Sequence, residues 1–220
     1  KTKENLKTII SGLENKIGQD TLEEFNDLNN KVCVITGGSG VIGKSLAVGL
    51  ASVGVKVVIL GRNKEAADDV AKYIESETGC KAIGVKANVL DKDSLNSAKE
   101  IINNDLGEID ILINCAGGNS PKATTQIEFM DSDNKNDEGT FFGLDVEGFR
   151  DVFDLNFLGT LLPSMILSTD MVKNESGVIL NVSSMNAFRP LTKIPAYSAA
   201  KSSINNFTEW LAVHFAKINI

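Results

Sequence analysis

Two spacings of apolar residues alternate along this chain. Short apolar runs occur at 31–36 (KVCVIT), 55–60 (VKVVIL), 81–89 (KAIGVKANV) and 109–113, and again at Val178, Ile179, Leu180 and Val182. Each run predicts a strand, the last of them buried. Between them, 44–54, 64–78, 92–104, 145–162 and the residues from about Ala199 onward have helical spacing or composition. Parallel strands need a crossover, usually a helix, so the alternation predicts an α/β fold: a doubly wound parallel sheet in a single domain over 28–220. Residues 1–27 form an N-terminal extension, helical or flexible, with Leu6, Ile9, Ile10, Leu13 and Ile17 on one stripe. Ile218 to Ile220 resemble the entrance to a further strand, so the sheet is expected to lack its final strand and cover.

Composition narrows the function. The 220 residues are 42% hydrophobic, enough for one full core, and carry a formal net charge of −7. That charge argues against a nucleic-acid groove or an anionic membrane surface as partner. No apolar run approaches membrane-spanning length and the start lacks the order of a secretion signal, so the expected location is cytoplasmic. Cys33, Cys80 and Cys115 are odd in number and widely spaced, as reduced core residues are. His214 is the only histidine and no Cys/His cluster has ligand spacing, which speaks against a metal site or a histidine-based triad.

The glycines bring in chemistry. Gly38, Gly40 and Gly43 fit G-x-G-x-x-G between a strand and a helix, where the backbone can approach a pyrophosphate at the positive helix end. Gly37, Ser39 and Ile42 complete this turn. At the end of the second strand an acidic residue would hold the ribose 2′-hydroxyl of NAD; here stand Gly61, Arg62 and Asn63. Arg62 suits a 2′-phosphate, which favours NADP(H) and leaves NAD(H) open. Asn88, beside Val89, either meets an adenine edge or caps the next turn. After the fourth strand, Asn114 can bridge strand ends, while Ala116 and Gly117 let the backbone lie against a flat ligand.

The stretch 181–201, NVSSMNAFRPLTKIPAYSAAK, places Ser183 and Ser184 at a strand end and Tyr197 four residues before Lys201 on one helix face. A free phenol loses its proton near pH ~10, and a neighbouring ammonium stabilises the phenolate. Tyr197 can then exchange a proton with a substrate oxygen that Ser184 also hydrogen-bonds. Taken alone, such a pair is more often a half-buried aromatic beside a solvated charge.

With TGGSGVIG, NCAG, Ser184 and Tyr197-Ser-Ala-Ala-Lys201 in sheet order, residues 28–220 resemble the short-chain dehydrogenase/reductase family. The resemblance implies a Rossmann fold, a nicotinamide cofactor, hydride transfer to or from a carbonyl or alcohol, and a homo-oligomer, tetramer or dimer. It implies Tyr197 as proton donor or acceptor, Lys201 tuning it and holding the nicotinamide ribose, Ser184 on the substrate oxygen, and Asn156 completing a tetrad. Val41 stands where the family usually has glycine, and Asn88 where it often has aspartate.

The segment at about 118–150 is longer than the family usually carries, and its polar middle, DSDNKNDEG, is expected to be disordered. GGNSPKATT, VFDLNFLGTLLP, SSMNAFRPLTKIPAYSAAK and NFTEWLAVHFAK are similar to the D-mannonate oxidoreductase (fructuronate reductase) branch, which implies a sugar-acid substrate. Asn119, Thr124, Thr125 and Asn186 can serve its hydroxyls, and Lys122, Arg189 or Lys193 its carboxylate. A gluconate- or polyol-type dehydrogenase is the rival within the class. A silent nucleotide-sensing protein is the rival outside it.

Overall fold

β1 (Val32–Thr36), β2 (Lys56–Gly61), β3 (Ala82–Lys86), β4 (Ile111–Asn114) and β5 (Val178–Asn181) form a parallel sheet in the order β3-β2-β1-β4-β5. A computed structural model describes residues 25–133 and 139–220. The predicted stripe from Leu6 to Ile17 lies outside them, as does most of the acidic loop.

Every residue of β1 is buried, because the strand is covered on both faces. Alternation along it decides which helices cover which face. Cys33 and Ile35, with Val57, Ile59, Ile111 and Ile113, meet Ala47 and Ala51 of α1 (Val41–Ser52) and Ala67, Ala71 and Ile74 of α2 (Lys64–Thr78). Val32 and Val34, with Val58, Leu60 and Leu112, meet Leu95, Ala98 and Ile102 of α3 (Lys92–Asp105) on the opposite face. Leu167 and Met171 extend that core from α5 (Gly159–Leu167) and α6 (Thr169–Asn174). The strand order reverses between β1 and β4, which opens a crevice at their carboxyl ends.

Several predicted boundaries move, each for a local reason. The third strand stops at Lys86, because Asn88 makes an Asx turn in which its Oδ1 accepts from Leu90 N at 3.2 Å. The fourth starts at Ile111: the Asp110 carboxylate turns aside to accept from Lys31 Nζ at 2.8 Å and Val32 N at 2.9 Å. The predicted buried strand at 178–182 is β5, yet Val178 and Leu180 are 54% and 45% exposed. Among the described residues β5 pairs only with β4, so its outward side chains face solvent. Ile218 to Ile220 form no strand. Ile218 N donates to Phe215 O at 3.0 Å, and Asn219 takes φ 53° while its carbonyl accepts from Gly177 N.

The predicted helix over 145–162 is broken. α4 (Val146–Phe153) runs into a π turn at Asp154–Leu158, where Gly159 N–H reaches the Asp154 carbonyl five residues back, and α5 follows. Pro163 lies inside α5, where it offers no N–H to Gly159 and its ring crowds that carbonyl. The last helix, α7 (Pro195–Phe215), begins on a proline at its first position and packs against α4 and the π turn.

Candidate active site

Thr36, at the end of β1, has a fully buried hydroxyl that accepts from Cys115 N at 3.0 Å and Ala116 N at 3.1 Å. This bond draws the end of β4 beside the glycine turn. Gly37 has φ +63°, and a Cβ there would lie 2.9 Å from the Ala116 Cα. A Cβ on Gly43 would lie 2.7 Å from the Gly37 carbonyl oxygen, so α1 rests directly on the turn. Gly40 caps α1 without a side-chain bond, which leaves the N–H groups of the helix start to a ligand. Val41 in the family's glycine position does not obstruct them, being 88% exposed.

A cavity of about 650 Å³ opens from this turn. It is lined by Gly37, Ser39 and Gly40, by Arg62 and Asn63 beyond β2, by Asn88 and Val89 beyond β3, and by Ala116 and Gly117 beyond β4. Leu90 and Leu155 add apolar wall. Room, bare helix donors and glycines at every close approach fit a dinucleotide. Arg62 is exposed and makes no ion pair or side-chain hydrogen bond among the described residues. Asn63 is partly committed, since its side chain caps α2 by accepting from Ala66 N.

Two of the predicted catalytic residues, Asn156 and Lys201, meet at Gly117. A Cβ added there would lie 2.7 Å from Asn156 Oδ1 and 3.3 Å from Lys201 Nζ, so the end of β4, the π turn and α7 meet at this point. Asn156 is fully buried. Its Nδ2 donates to Gly118 O at 2.7 Å and Val152 O at 2.8 Å, and its Oδ1 accepts from Gly118 N at 3.3 Å. Lys201 is 5% exposed and donates to Val182 O at 2.8 Å. Burial pushes its pKa down and outweighs the opposing effect of Cys115. Its Nζ lies 5.7 Å from the centre of the Tyr197 ring.

Tyr197 is half-buried against Ala123, Val152 and Phe149. Ser184 caps a 3-10 turn at Met185–Ala187 by accepting from Asn186 N at 3.2 Å, which leaves its own proton free to donate. That turn packs on α7, and Ser202 Oγ binds it there by donating to Ala187 O at 2.7 Å. Asn114 bridges strand ends as expected, its Nδ2 donating to Asn181 Oδ1 and to Ser164 Oγ, both at 2.9 Å. Its own Oδ1 is buried and has no hydrogen-bond partner among the described residues.

The substrate-side candidates divide into free and committed groups. Lys122 and Arg189 are exposed and form no ion pair among the described residues, and Asn186 is 6% exposed. Asn119 Nδ2 donates to Thr124 Oγ1, which itself donates to Ser120 O. Thr125 is spent on structure: Oγ1 donates to Ile127 O, and N donates to Lys193 O at 2.9 Å, which joins the two loops over this side. Among the described residues no group of three or more His, Cys, Asp or Glu side chains stands where it could hold a metal ion. Sequence reasoning missed Thr36 and the Val182 carbonyl; the hydroxyl immediately before the glycines was the available signal for the first.

The short chain dehydrogenase family pattern matches residues 31–220. An uncharacterised oxidoreductase of Haemophilus influenzae is 49% identical over 195 residues, 89% of this chain and 68% of the relative. The uncharacterised oxidoreductase UxuB of Bacillus subtilis is 47% identical over 194 residues, 88% of this chain and 69% of its own length. A Haemophilus crystal structure, provisionally named a D-mannonate oxidoreductase and holding NAD, superposes with TM-score 0.80 at 50% identity, covering 86% of this chain and 68% of that one. With the parallel sheet, the glycine crevice and this match from Lys31 to the last residue, the chain belongs to the short-chain dehydrogenase family.

Proposed function

We propose that this oxidoreductase interconverts D-fructuronate and D-mannonate, with Tyr197, Lys201, Ser184 and Asn156 as its catalytic group. The observation that carries the site is the meeting of Asn156 and Lys201 at Gly117, beside the glycine crevice. A nicotinamide bound there supplies or accepts the hydride. The Tyr197 phenol gives its proton to the carbonyl oxygen as that oxygen gains charge, and takes it back in the oxidative direction. Ser184 donates a hydrogen bond to the same oxygen. Lys201, held by the Val182 carbonyl, keeps a positive charge near the phenol and can reach a ribose hydroxyl. Asn156 spends its side chain on the Gly118 peptide and so sets the floor on which the ring lies.

A sugar acid suits the open side, where Lys122 and Arg189, which form no ion pair among the described residues, can meet a carboxylate. The provisional name of the 50% identical structure supports the same substrate. Replacing Lys122 or Arg189 with Met should raise KM for the uronate by roughly tenfold or more and leave a neutral ketose nearly unaffected, as loss of a charge-assisted bond does. Equal effects on both substrates would remove the argument.

On the cofactor, Arg62, without an ion pair among the described residues, and Gly61 and Asn63 in place of an acidic residue at the end of β2 favour NADP(H). The NAD held by the related structure favours NAD(H) as a second reading. The ratio of kcat/KM for NADPH and NADH decides, and a clear NADH preference removes the role given to Arg62. A homo-oligomer and a cytoplasmic location belong to the same proposal; free Cys33, Cys80 and Cys115 are consistent with a reducing compartment.

A further inference from the structure

The π turn between α4 and α5 contains one residue more than an α-helical turn needs, and this aims Asn156 at Gly118. In an uninterrupted α-helix each residue advances about 100°, so losing the extra residue would swing Asn156 off the Gly118 peptide. A turn of this kind is rare and must be held open. Pro163 disturbs the helix from one side, and Gly159 packs closely on Val89, whose Cγ2 would lie 3.1 Å from an added Cβ. The third support is a hydroxyl. Thr160, 1% exposed, donates from Oγ1 to the carbonyl of Asn156 itself at 2.9 Å.

Thr160 stands at the top of a buried ladder. Its carbonyl accepts from Ser164 Oγ at 2.8 Å, and Ser164 Oγ accepts from Asn114 Nδ2 at 2.9 Å. Asn114 is in turn joined to Asn181, so hydrogen bonds run from the ends of β4 and β5 up α5 to the π turn. Buried polar networks of this kind are costly to leave half-made. Neither Thr160 nor Ser164 lines the dinucleotide cavity. Buried hydroxyls often bond the carbonyl four residues back simply to be satisfied, as Ser168 does to Ser164 O at 2.6 Å. Thr160 differs in that its acceptor belongs to the π turn.

We propose that Thr160 is a positioning residue: its hydroxyl holds the Asn156 carbonyl, keeps the π turn open and thereby keeps Asn156 clamped on Gly118, with Ser164 supporting it one rung below. The effect on turnover rests on the hydride-transfer reading above; the effect on the clamp does not.

The test compares Thr160→Val, Thr160→Ser and Ser168→Ala in the full chain. It measures hydrogen exchange at the Gly118 amide, NADH and NADPH binding by fluorescence, and kcat with the uronate. Thr160→Val should speed Gly118 exchange roughly tenfold or more relative to Val34 in β1. It should lower kcat about tenfold while the dinucleotide Kd stays within about twofold. Thr160→Ser should restore both, and Ser168→Ala should change neither. Unchanged Gly118 exchange in Thr160→Val, or equal acceleration in Ser168→Ala, overturns the proposal. Should Thr160→Val not fold, Ser164→Ala must show the same pattern at roughly threefold, and no change at Gly118 there is equally fatal. A chain that turns over no uronate refutes the substrate reading, and Gly118 exchange still decides the role of Thr160.

Discussion

The crevice from Thr36 to Gly118 and the surface from Asn119 to Lys201, the two ends of the proposed site, are built by different means. On the proposed dinucleotide side the glycine turn is main chain, and Arg62 and Asn63 add side chains beyond β2. Gly37 and Gly43 approach other backbone to within 2.9 Å and 2.7 Å of where a Cβ would sit, and the start of α1 offers bare N–H groups. On the proposed catalytic side the groups are side chains brought in from the end of β5, the π turn and α7; Lys201, Asn156 and Ser184 are fixed by hydrogen bonds to Val182, Gly118 and Asn186, and Tyr197 packs on Ala123 and Val152. A backbone site fails when any side chain is added, whereas a side-chain site fails when one functional atom is removed.

The sharpest test of that contrast removes one oxygen. Tyr197→Phe should lower kcat by on the order of 10²–10⁴, the usual worth of a positioned acid or base, and leave NADH or NADPH binding nearly unchanged. Gly43→Ala should do the reverse. Its methyl would press on Gly37 and Gly38 backbone, and strain of about 1–3 kcal/mol would weaken dinucleotide binding by roughly tenfold to a hundredfold. Isothermal titration and steady-state kinetics on both variants separate the two. If Tyr197→Phe abolished dinucleotide binding, or Gly43→Ala lowered kcat at saturating dinucleotide and spared Kd, the division would be wrong.

The same contrast explains what could be read in advance. Glycines required by close approach are visible in a sequence, since no other residue fits, and strands buried on both faces appear as unbroken apolar runs. That made the glycine turn, the parallel sheet and the Tyr197–Lys201 spacing legible from the apolar runs, TGGSGVIG, NCAGG and YSAAK. The π turn was not legible, because 145–162 keeps helical spacing and its extra residue depends on Pro163, Gly159 and a hydroxyl bond invisible to periodicity. Thr124 and Thr125 show a related limit: a hydroxyl near a site looks available until its partners are known, and both donate to local carbonyls. β5 misled because an apolar run does not reveal how many neighbours a strand has.

The smallest effect should come from below the site, where Asp170 ties α6 to α3 and to the start of β4. Its carboxylate is 5% exposed and accepts from Lys99 Nζ at 2.6 Å and from Ile109 N at 3.2 Å. Burial alone would push its pKa up; the bonds from Lys99 and the Ile109 amide outweigh it and bring the pKa below the usual carboxylate value. A carboxyl more acidic in the folded than in the unfolded chain contributes stability above the unfolded pKa of about 3.9 and loses it as pH falls through the lower folded value. Asp170→Asn should therefore cost about 1.5 kcal/mol at neutral pH, roughly tenfold in the folding equilibrium, and the difference from the unaltered chain should shrink below about pH 4. Urea unfolding at a series of pH values measures it. Neither Kd for the dinucleotide nor kcat should move at pH 7, because Asp170 belongs to neither half of the site; a turnover defect without a stability defect would mean that the base of β4 controls how Asn114 to Gly118 are held.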